Sequence, residues 1–175
     1  MSVATWRGRL PAGLQPYLER EPLAAFFLGV SSGFPYAMLA ATLTTRLAQD
    51  GIDKKSVTAF SLAFLVYNLK FLWAPLVDGL RLPLLGRLGQ RVSWLVFSGL
   101  LVMAAVAWLG WLDPTADLGR FAMAAVAVGV AGATFDIVID AYRIEQLKPR
   151  QLGVGSGMTQ YGWRIGSVTA AALAL

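Results

Sequence analysis

The sequence contains neither cysteine nor histidine among its 175 residues. The absence of cysteine excludes disulfide bonds and thiolate metal sites, and the absence of histidine removes the commonest proton shuttle. Charge is also scarce: 14% of the residues are charged, whereas an ordinary soluble domain has about 25%. The chain is 57% hydrophobic, and several of its apolar runs are roughly 20 residues long, the length of a transmembrane helix. The composition therefore predicts an integral membrane protein.

The formal net charge of +5 does not indicate nucleic-acid binding. The cations are scattered between the apolar runs, whereas a nucleic-acid site needs them clustered on one polar face. The first apolar run is too long for a signal peptide and lacks a small-residue cleavage site. We therefore interpret that run as a retained span, and we expect no nucleic-acid partner.

The alternation of apolar runs and polar links predicts an all-α membrane bundle behind a cytoplasmic tail. The tail is residues 1–22 and the bundle is residues 23–175, with spans at about 23–45, 56–77, 92–112, 119–140 and 153–175. Lysine and arginine are enriched in cytoplasmic loops. Nine lie in the tail and in the links after spans 2 and 4 (Arg7, Arg9, Arg20, Arg81, Arg87, Arg91, Arg143, Lys148 and Arg150), and four lie opposite (Arg46, Lys54, Lys55 and Arg120). This count predicts a cytoplasmic N-terminus.

The end of the fourth span carries the clearest sign of function. Asp136 and Asp140 are four residues apart and therefore share one face of a helix, and Arg143 lies on that face too. Ionisable groups in a lipid-spanning helix are costly, so they usually face a protein interior or an aqueous path. The stretch predicts a polar site inside the bundle.

Two cations lie deeper in the predicted spans. Lys70 follows Asn68 in span 2 and is about 10 Å of helix from the end of the run. It either reaches the headgroups along its own side chain or pairs with a carboxylate such as Asp136 or with an anionic substrate. Arg164 lies about eleven residues inside span 5, too deep to reach the headgroups easily, which indicates a functional role.

Small residues predict close helix contacts in the first and last spans. Span 1 contains Gly29 to Pro35, where the proline removes one backbone hydrogen bond. This segment is either a packing face with a kink or a bend that lines a substrate cavity. Span 5 contains two glycine-rich segments, 153–157 and 161–166, which predict tight contacts with a neighbouring helix.

Three segments together resemble the muropeptide permeases (AmpG) of the major facilitator superfamily. They are Ser31–Pro35; Lys70–Asp78 with Gly86, Arg87 and Trp94; and Asp136–Arg143 with the glycine-rich segments of span 5. Ala74 stands where the superfamily signature has glycine, which departs more from the sugar porters than from these permeases. The resemblance implies a major-facilitator-type helical bundle. Such permeases have a second bundle, so we expect about five spans of the N-terminal half, truncated in span 5, with the missing C-terminal half as its partner.

The resemblance implies proton-coupled import of anhydro-muropeptides across the bacterial inner membrane. These cell-wall degradation products are amino sugars that carry carboxylates, and two bundles would rock around a midplane cavity to move them. On this resemblance Lys70 and Arg164 are counter-charges for the substrate or partners of Asp136. Asp136 is the candidate proton-coupling group, because no histidine or glutamate lies inside a span. Asn68 and Tyr161 are further candidate substrate-binding residues.

The resemblance also implies a cytoplasmic gate of ion pairs that break as the bundles rock. The residues expected there are Asp78, Arg87, Asp140 and Arg143.

Three other functions are alternatives to the muropeptide permease. A transporter of another anion, such as acetyl-coenzyme A, uses the same buried cations. A scaffold subunit would not explain why charged side chains lie so deep in the predicted spans. An intramembrane enzyme would need a Ser/His, Cys/His or metal-ligand cluster, which the sequence lacks, and no cofactor is expected.

Overall fold

The computed structural model describes residue 11 and residues 13–51, 60, 64–82 and 89–174. Six α-helices lie in this part of the chain: α1 (Arg20–Gln49), α2 (Leu65–Leu69), α3 (Ala74–Gly79), α4 (Gln90–Trp111), α5 (Leu118–Gln146) and α6 (Leu152–Ala174). Short 3-10 segments lie at Gln15–Leu18, Lys70–Leu72 and Pro149–Gln151. The predicted all-α class is confirmed.

Three helices, α1, α4 and α5, are long and apolar enough to cross a membrane. They enclose or match the predicted spans 23–45, 92–112 and 119–140. Helix α6 has 23 residues and coincides with the predicted span 153–175, whose membrane crossing stays a prediction. Much of the predicted span 56–77 and of the tail 1–22 lies outside the described residues.

Helix α5 is the centre of the bundle, packed between α1 on one side and α4 on another. Its apolar length carries Phe121, Ala124, Ala125 and Val128, all fully buried. Small side chains let the neighbouring helices approach closely. The helix therefore carries the charged stretch that begins at Asp136 through the middle of the fold.

Helices α1 and α6 touch along their backbones. A Cβ added at Gly29 or Gly33 would meet the backbone of α6, and one added at Gly162 or Gly166 would meet the backbone of α1. Four glycines therefore make this close contact possible, as the small-residue spacing predicts. The contact aligns Ser32 of α1 with the part of α6 around residues 159–163.

Pro35 does not end the first helix. The chain stays helical to Gln49 through a π-helical segment, Met38–Thr42. Single-turn π segments shift the register of the side chains that follow and often lie near functional sites. Pro35 is itself buried, and its Cβ lies beside Gly132 of α5.

The second predicted span is interrupted in its described part. Helix α2 ends at Leu69, a 3-10 segment follows at Lys70–Leu72, and α3 begins at Ala74. Pro75 lies in the first turn of α3, where its missing N–H costs nothing, whereas inside a continuous helix it would break a hydrogen bond. Lys70 therefore lies at the start of a break in the helix.

Candidate functional site

Asp136 is held by side chains from two other elements. The Ser32 hydroxyl on α1 donates a hydrogen bond to Asp136 Oδ1. Lys70 Nζ lies 3.9 Å from Asp136 Oδ2. The Asp136 side chain is only 18% exposed, so the protein supplies both of these polar neighbours in place of bulk water.

The ion pairs continue from Lys70 along α5. Lys70 Nζ lies 3.7 Å from Asp140 Oδ2, and Arg143 Nη2 lies 3.1 Å from Asp140 Oδ1. Asp140 therefore has one cation at each oxygen. These side chains form a series of contacts, which we call the polar chain: Ser32, Asp136, Lys70, Asp140 and Arg143. Its members lie in contact in that order, so Lys70 and Asp140 connect Asp136 with Arg143.

A cavity of about 540 Å³ lies beside the polar chain, between α1, α5 and α6. This volume falls within the roughly 300–1,000 Å³ typical of small-molecule sites. The lining residues are Ser32, Asp136, Ile139, Asp140, Arg143, Thr159, Gln160, Trp163 and Arg164. Arg143 is paired with Asp140, whereas Arg164 is exposed and makes no ion pair with any described residue. The cavity wall therefore includes one guanidinium that makes no ion pair among the described residues.

A second charged cluster joins α3, α4 and α5. Arg91 Nη1 lies 2.6 Å from Asp78 Oδ1, and Arg91 Nη2 lies 2.6 Å from Glu145 Oε1. Gln90 donates a further bond of 2.6 Å to the Asp78 carbonyl. We call Asp78, Arg91 and Glu145 the Arg91 cluster. Because Arg91 is bonded on both sides, it ties the end of the broken second span to α4 and α5.

The break in the second span is also tied to α5. Trp73 Nε1 donates a 3.2 Å hydrogen bond to the Thr134 hydroxyl. Thr134 precedes Asp136 by two residues, so the bond lies close to the polar chain. The 3-10 segment that carries Lys70 is therefore anchored beside the carboxylates that Lys70 contacts.

The structure brings some of the predicted site residues together and leaves others apart. Lys70, Asp136, Asp140 and Arg143 share the polar chain, and Arg164 lies across the cavity. Asn68 and Tyr161 are exposed and are not among the cavity-lining residues, so their predicted role in substrate binding stays a prediction.

Asp78, one of the predicted gate residues, pairs with a cation that the sequence analysis does not place in the gate. Arg87 lies outside the described residues, and Asp78 instead pairs with Arg91. Asp140 and Arg143, the other two predicted gate residues, pair with each other within α5.

Sequence reasoning gave no site role to several residues that the structure places here. The sequence places Ser32 in a segment that either packs or lines a cavity but does not predict its bond to Asp136, and it gives Arg91 a role in topology only. The sequence could still suggest both roles, because a serine or an arginine at about the same depth in the membrane as a carboxylate is a candidate partner for it. The helix rotations that bring the partners face to face are not visible in one sequence.

Comparison with known protein families gives a match over slightly more than half of the chain. Residues 26–118 match the family model described as Acetyl-coenzyme A transporter 1. The match covers α1, the described parts of the second span, and α4.

Curated relatives extend the match over most of the chain. A Rickettsia felis protein that bears the name AmpG 4 is 35% identical over 150 residues, which is 86% of this chain and 36% of the relative. The "Anhydromuropeptide permease" of Escherichia coli K12 is 35% identical over 158 residues, 89% of this chain and 32% of the relative. These matches confirm the resemblance to the AmpG permeases that the sequence motifs predict.

The chain spans about one third of the length of the relatives it matches. A protein of Haemophilus influenzae shows the same proportion, with 34% identity over 89% of this chain and 36% of the relative. No solved structure matches the chain significantly.

Proposed function

Since this chain belongs to the membrane-transporter family described as Acetyl-coenzyme A transporter 1, we propose that it forms the N-terminal bundle of a proton-coupled importer of anhydro-muropeptides. The AmpG and anhydromuropeptide permease names of its relatives support this substrate class. We further propose that the protein lies in the inner membrane of a bacterium with its N-terminus in the cytoplasm. We also propose that a C-terminal bundle completes the transport path, because the matched portion is only about one third of the relatives' length.

The position of Arg164 is the main support for the proposal. This residue lies at a polar cavity and makes no ion pair with any described residue. Guanidinium groups bind carboxylates and phosphates through paired, charge-assisted hydrogen bonds. An anhydro-muropeptide carries carboxylates, so we assign one of them to Arg164. The hydroxyl of Thr159, the amide of Gln160 and the ring of Trp163 line the same wall and offer polar and stacking contacts to a sugar.

The polar chain supports coupling to protons. When Asp136 accepts a proton it becomes neutral, and its attraction for Lys70 falls. Lys70 still has Asp140 at 3.7 Å, where it competes with Arg143. Arg143 also lines the cavity, so its release from Asp140 would provide a second cation for the anionic ligand. Proton uptake and ligand binding would then favour each other, as coupling requires.

The Arg91 cluster favours a lasting tie at Asp78 rather than an ion pair that breaks during transport. Asp78 and Glu145 are held by one arginine that joins three helices. We propose that these bonds keep the cytoplasmic ends of α3, α4 and α5 together while the bundle moves as a body.

Acetyl-coenzyme A is the second candidate substrate. The description of the matching family model favours it, and its phosphates would also suit Arg164. It differs from a muropeptide in carrying a nucleotide and no amino sugar. The two ligands therefore compete for the same cations but make different contacts with the remaining wall.

An uptake experiment tests the proposed function. This chain would replace the matching portion of the Escherichia coli anhydromuropeptide permease, in cells that lack their own permease. We expect uptake of labelled anhydro-muropeptide that collapses when a protonophore removes the proton gradient. Uptake of acetyl-coenzyme A in its place would favour the second candidate. Muropeptide uptake that persists without a proton gradient would contradict the coupling.

A further inference from the structure

The hydroxyl of Tyr67 on α2 is buried and has no hydrogen-bond partner in the part of the chain that the structure describes. Buried hydroxyl groups in proteins are nearly always paired, and an unpaired one calls for an explanation. A phenylalanine would fill the same space without burying an unpaired hydroxyl. A partner for the hydroxyl in another state of the protein would account for the tyrosine.

The surroundings of Tyr67 leave few candidates for that partner. Its hydroxyl lies against Gly132 of α5, where an added Cβ would collide with the hydroxyl oxygen, and Pro35 of α1 lies at the same place. Pro35 has no N–H, and neither residue has a polar side chain. Tyr67 is also not among the residues that line the cavity, so a ligand in the cavity is not the partner.

Asp136 is the charged residue that helix geometry places nearest to the Tyr67 hydroxyl among the described residues. It follows Gly132 by four residues and so lies one turn further on the same face of α5. Side chains on a helix lean towards its N-terminus, so the Asp136 carboxyl leans towards Gly132, where no side chain intervenes. In the ion-paired state, however, its two oxygens face Ser32 and Lys70.

We propose that the Tyr67 hydroxyl is the hydrogen-bond partner of Asp136 when Asp136 is protonated. This inference rests on the proposed proton coupling and adds a positioning residue to it. The incoming proton binds Asp136 Oδ2, and Lys70 moves onto Asp140. The new O–H of Asp136 then donates to the phenolic oxygen of Tyr67, which stabilises the neutral carboxyl where Lys70 no longer does.

The elements around Asp136 contribute the following polar and charged groups. Helix α1 contributes the uncharged Ser32, and the broken second span contributes Lys70 and Tyr67. The charged groups that share the site with them are Asp140 and Arg143 on α5 and Arg164 on α6.

Infrared difference spectroscopy of the 175-residue chain in liposomes tests the proposal. The carboxyl band that appears on acidification is assigned to Asp136 by its loss in Asp136→Asn and by its displacement in Asp136→Glu. Tyr67→Phe removes only the hydroxyl. We expect this variant to shift the Asp136 band towards that of a carboxyl without a hydrogen bond. Tyr36→Phe, whose ring centroid is 5.7 Å from that of Tyr67, is the matched control and should leave the band unchanged.

Thermal unfolding at neutral pH adds a second readout. Tyr67→Phe should unfold at the same temperature as the wild type or a higher one, because in the ion-paired state the hydroxyl has no partner among the described residues. An unchanged Asp136 band in Tyr67→Phe, or a lower unfolding temperature, would overturn the proposal while leaving proton coupling intact. If no Asp136 band forms at any pH at which the chain stays folded, both the coupling and this role of Tyr67 are wrong.

Discussion

At the scale of single residues, the site depends on how the carboxylates of α5 share their cations. Asp136 has Ser32 and Lys70, and Asp140 has Lys70 and Arg143. The sequence alone identifies every charged member of this set, because charges in apolar runs are rare. It does not identify Ser32, since a serine among glycines is most simply a packing residue.

Lys70 should matter more for stability than either of its partners alone. Lys70→Met would leave Asp136 without a cation, whereas Asp136→Asn would leave Lys70 paired with Asp140. Breaking a fully buried pair costs roughly 3–5 kcal/mol. Lys70 is 34% exposed, so we expect Lys70→Met to lower the free energy of unfolding by a smaller amount, about 2 kcal/mol. The double variant Lys70→Met/Asp136→Asn should recover part of this loss.

Unfolding in mixed detergent micelles measures these differences. Arg120→Met is the control, because Arg120 is 70% exposed and, within the described ranges, pairs only with the nearby Asp117. Exposed pairs of this kind contribute about 0–1 kcal/mol. A double variant that is less stable than Lys70→Met alone would contradict the proposed pairing.

At the scale of helices, two features place the site residues. The glycine contact between α1 and α6 brings Ser32 to the wall that carries Trp163 and Arg164, and the break before α3 brings Lys70 to α5. The glycine spacing predicts the first feature but not which helix is the partner. Pro75 was the available signal for the second feature. Apolar length alone, however, predicts one continuous span across Pro75, because the residues on both sides of it are mostly apolar.

The glycine contact makes Gly162 sensitive to any added side chain. Gly162→Ala should lower the free energy of unfolding by about 2 kcal/mol, because its Cβ would press against the backbone of α1 and overpacking costs typically 1–3 kcal/mol. Gly157→Ala is the matched control on the same helix, because a Cβ there meets nothing within 4 Å. Since alanine is the better helix former, we expect the control to gain about 0.5–1 kcal/mol.

Both glycine variants are measured by the same micelle unfolding experiment. Equal stability of Gly162→Ala and Gly157→Ala would mean that α1 and α6 do not pack as described. A loss at Gly162 that Gly33→Ala reproduces on the opposite helix would locate the effect in the contact itself.

At the scale of the whole molecule, composition and apolar length are enough to predict an all-α membrane bundle. They predict the course of α1, α4, α5 and α6 to within a few residues, apart from the additional turn and a half of α5 beyond residue 140. The excess of cations in alternate links also predicts which side of the membrane the N-terminus lies on. What the sequence does not provide is the rotation of each helix about its axis, which decides that Asp78 faces Arg91.

The orientation is testable because the chain has no cysteine. Single cysteines can replace Thr115, in the link between α4 and α5, and Lys148, in the link between α5 and α6. We expect a membrane-impermeant maleimide to label Thr115→Cys in intact cells and Lys148→Cys only after the membrane is opened, because positively charged links stay in the cytoplasm. The opposite labelling pattern would reverse the orientation.

The central claim is that Arg164 binds the carboxylate of an anionic ligand, and equilibrium binding of labelled anhydro-muropeptide to the purified chain in lipid nanodiscs tests it most directly. A charge-assisted hydrogen bond contributes about 1.5–3 kcal/mol, so Arg164→Met should weaken binding roughly 10- to 100-fold. Its unfolding temperature should stay near that of the wild type, since Arg164 makes no ion pair with any residue described. Arg120→Met should bind as the wild type does. Unchanged affinity in Arg164→Met would contradict the account.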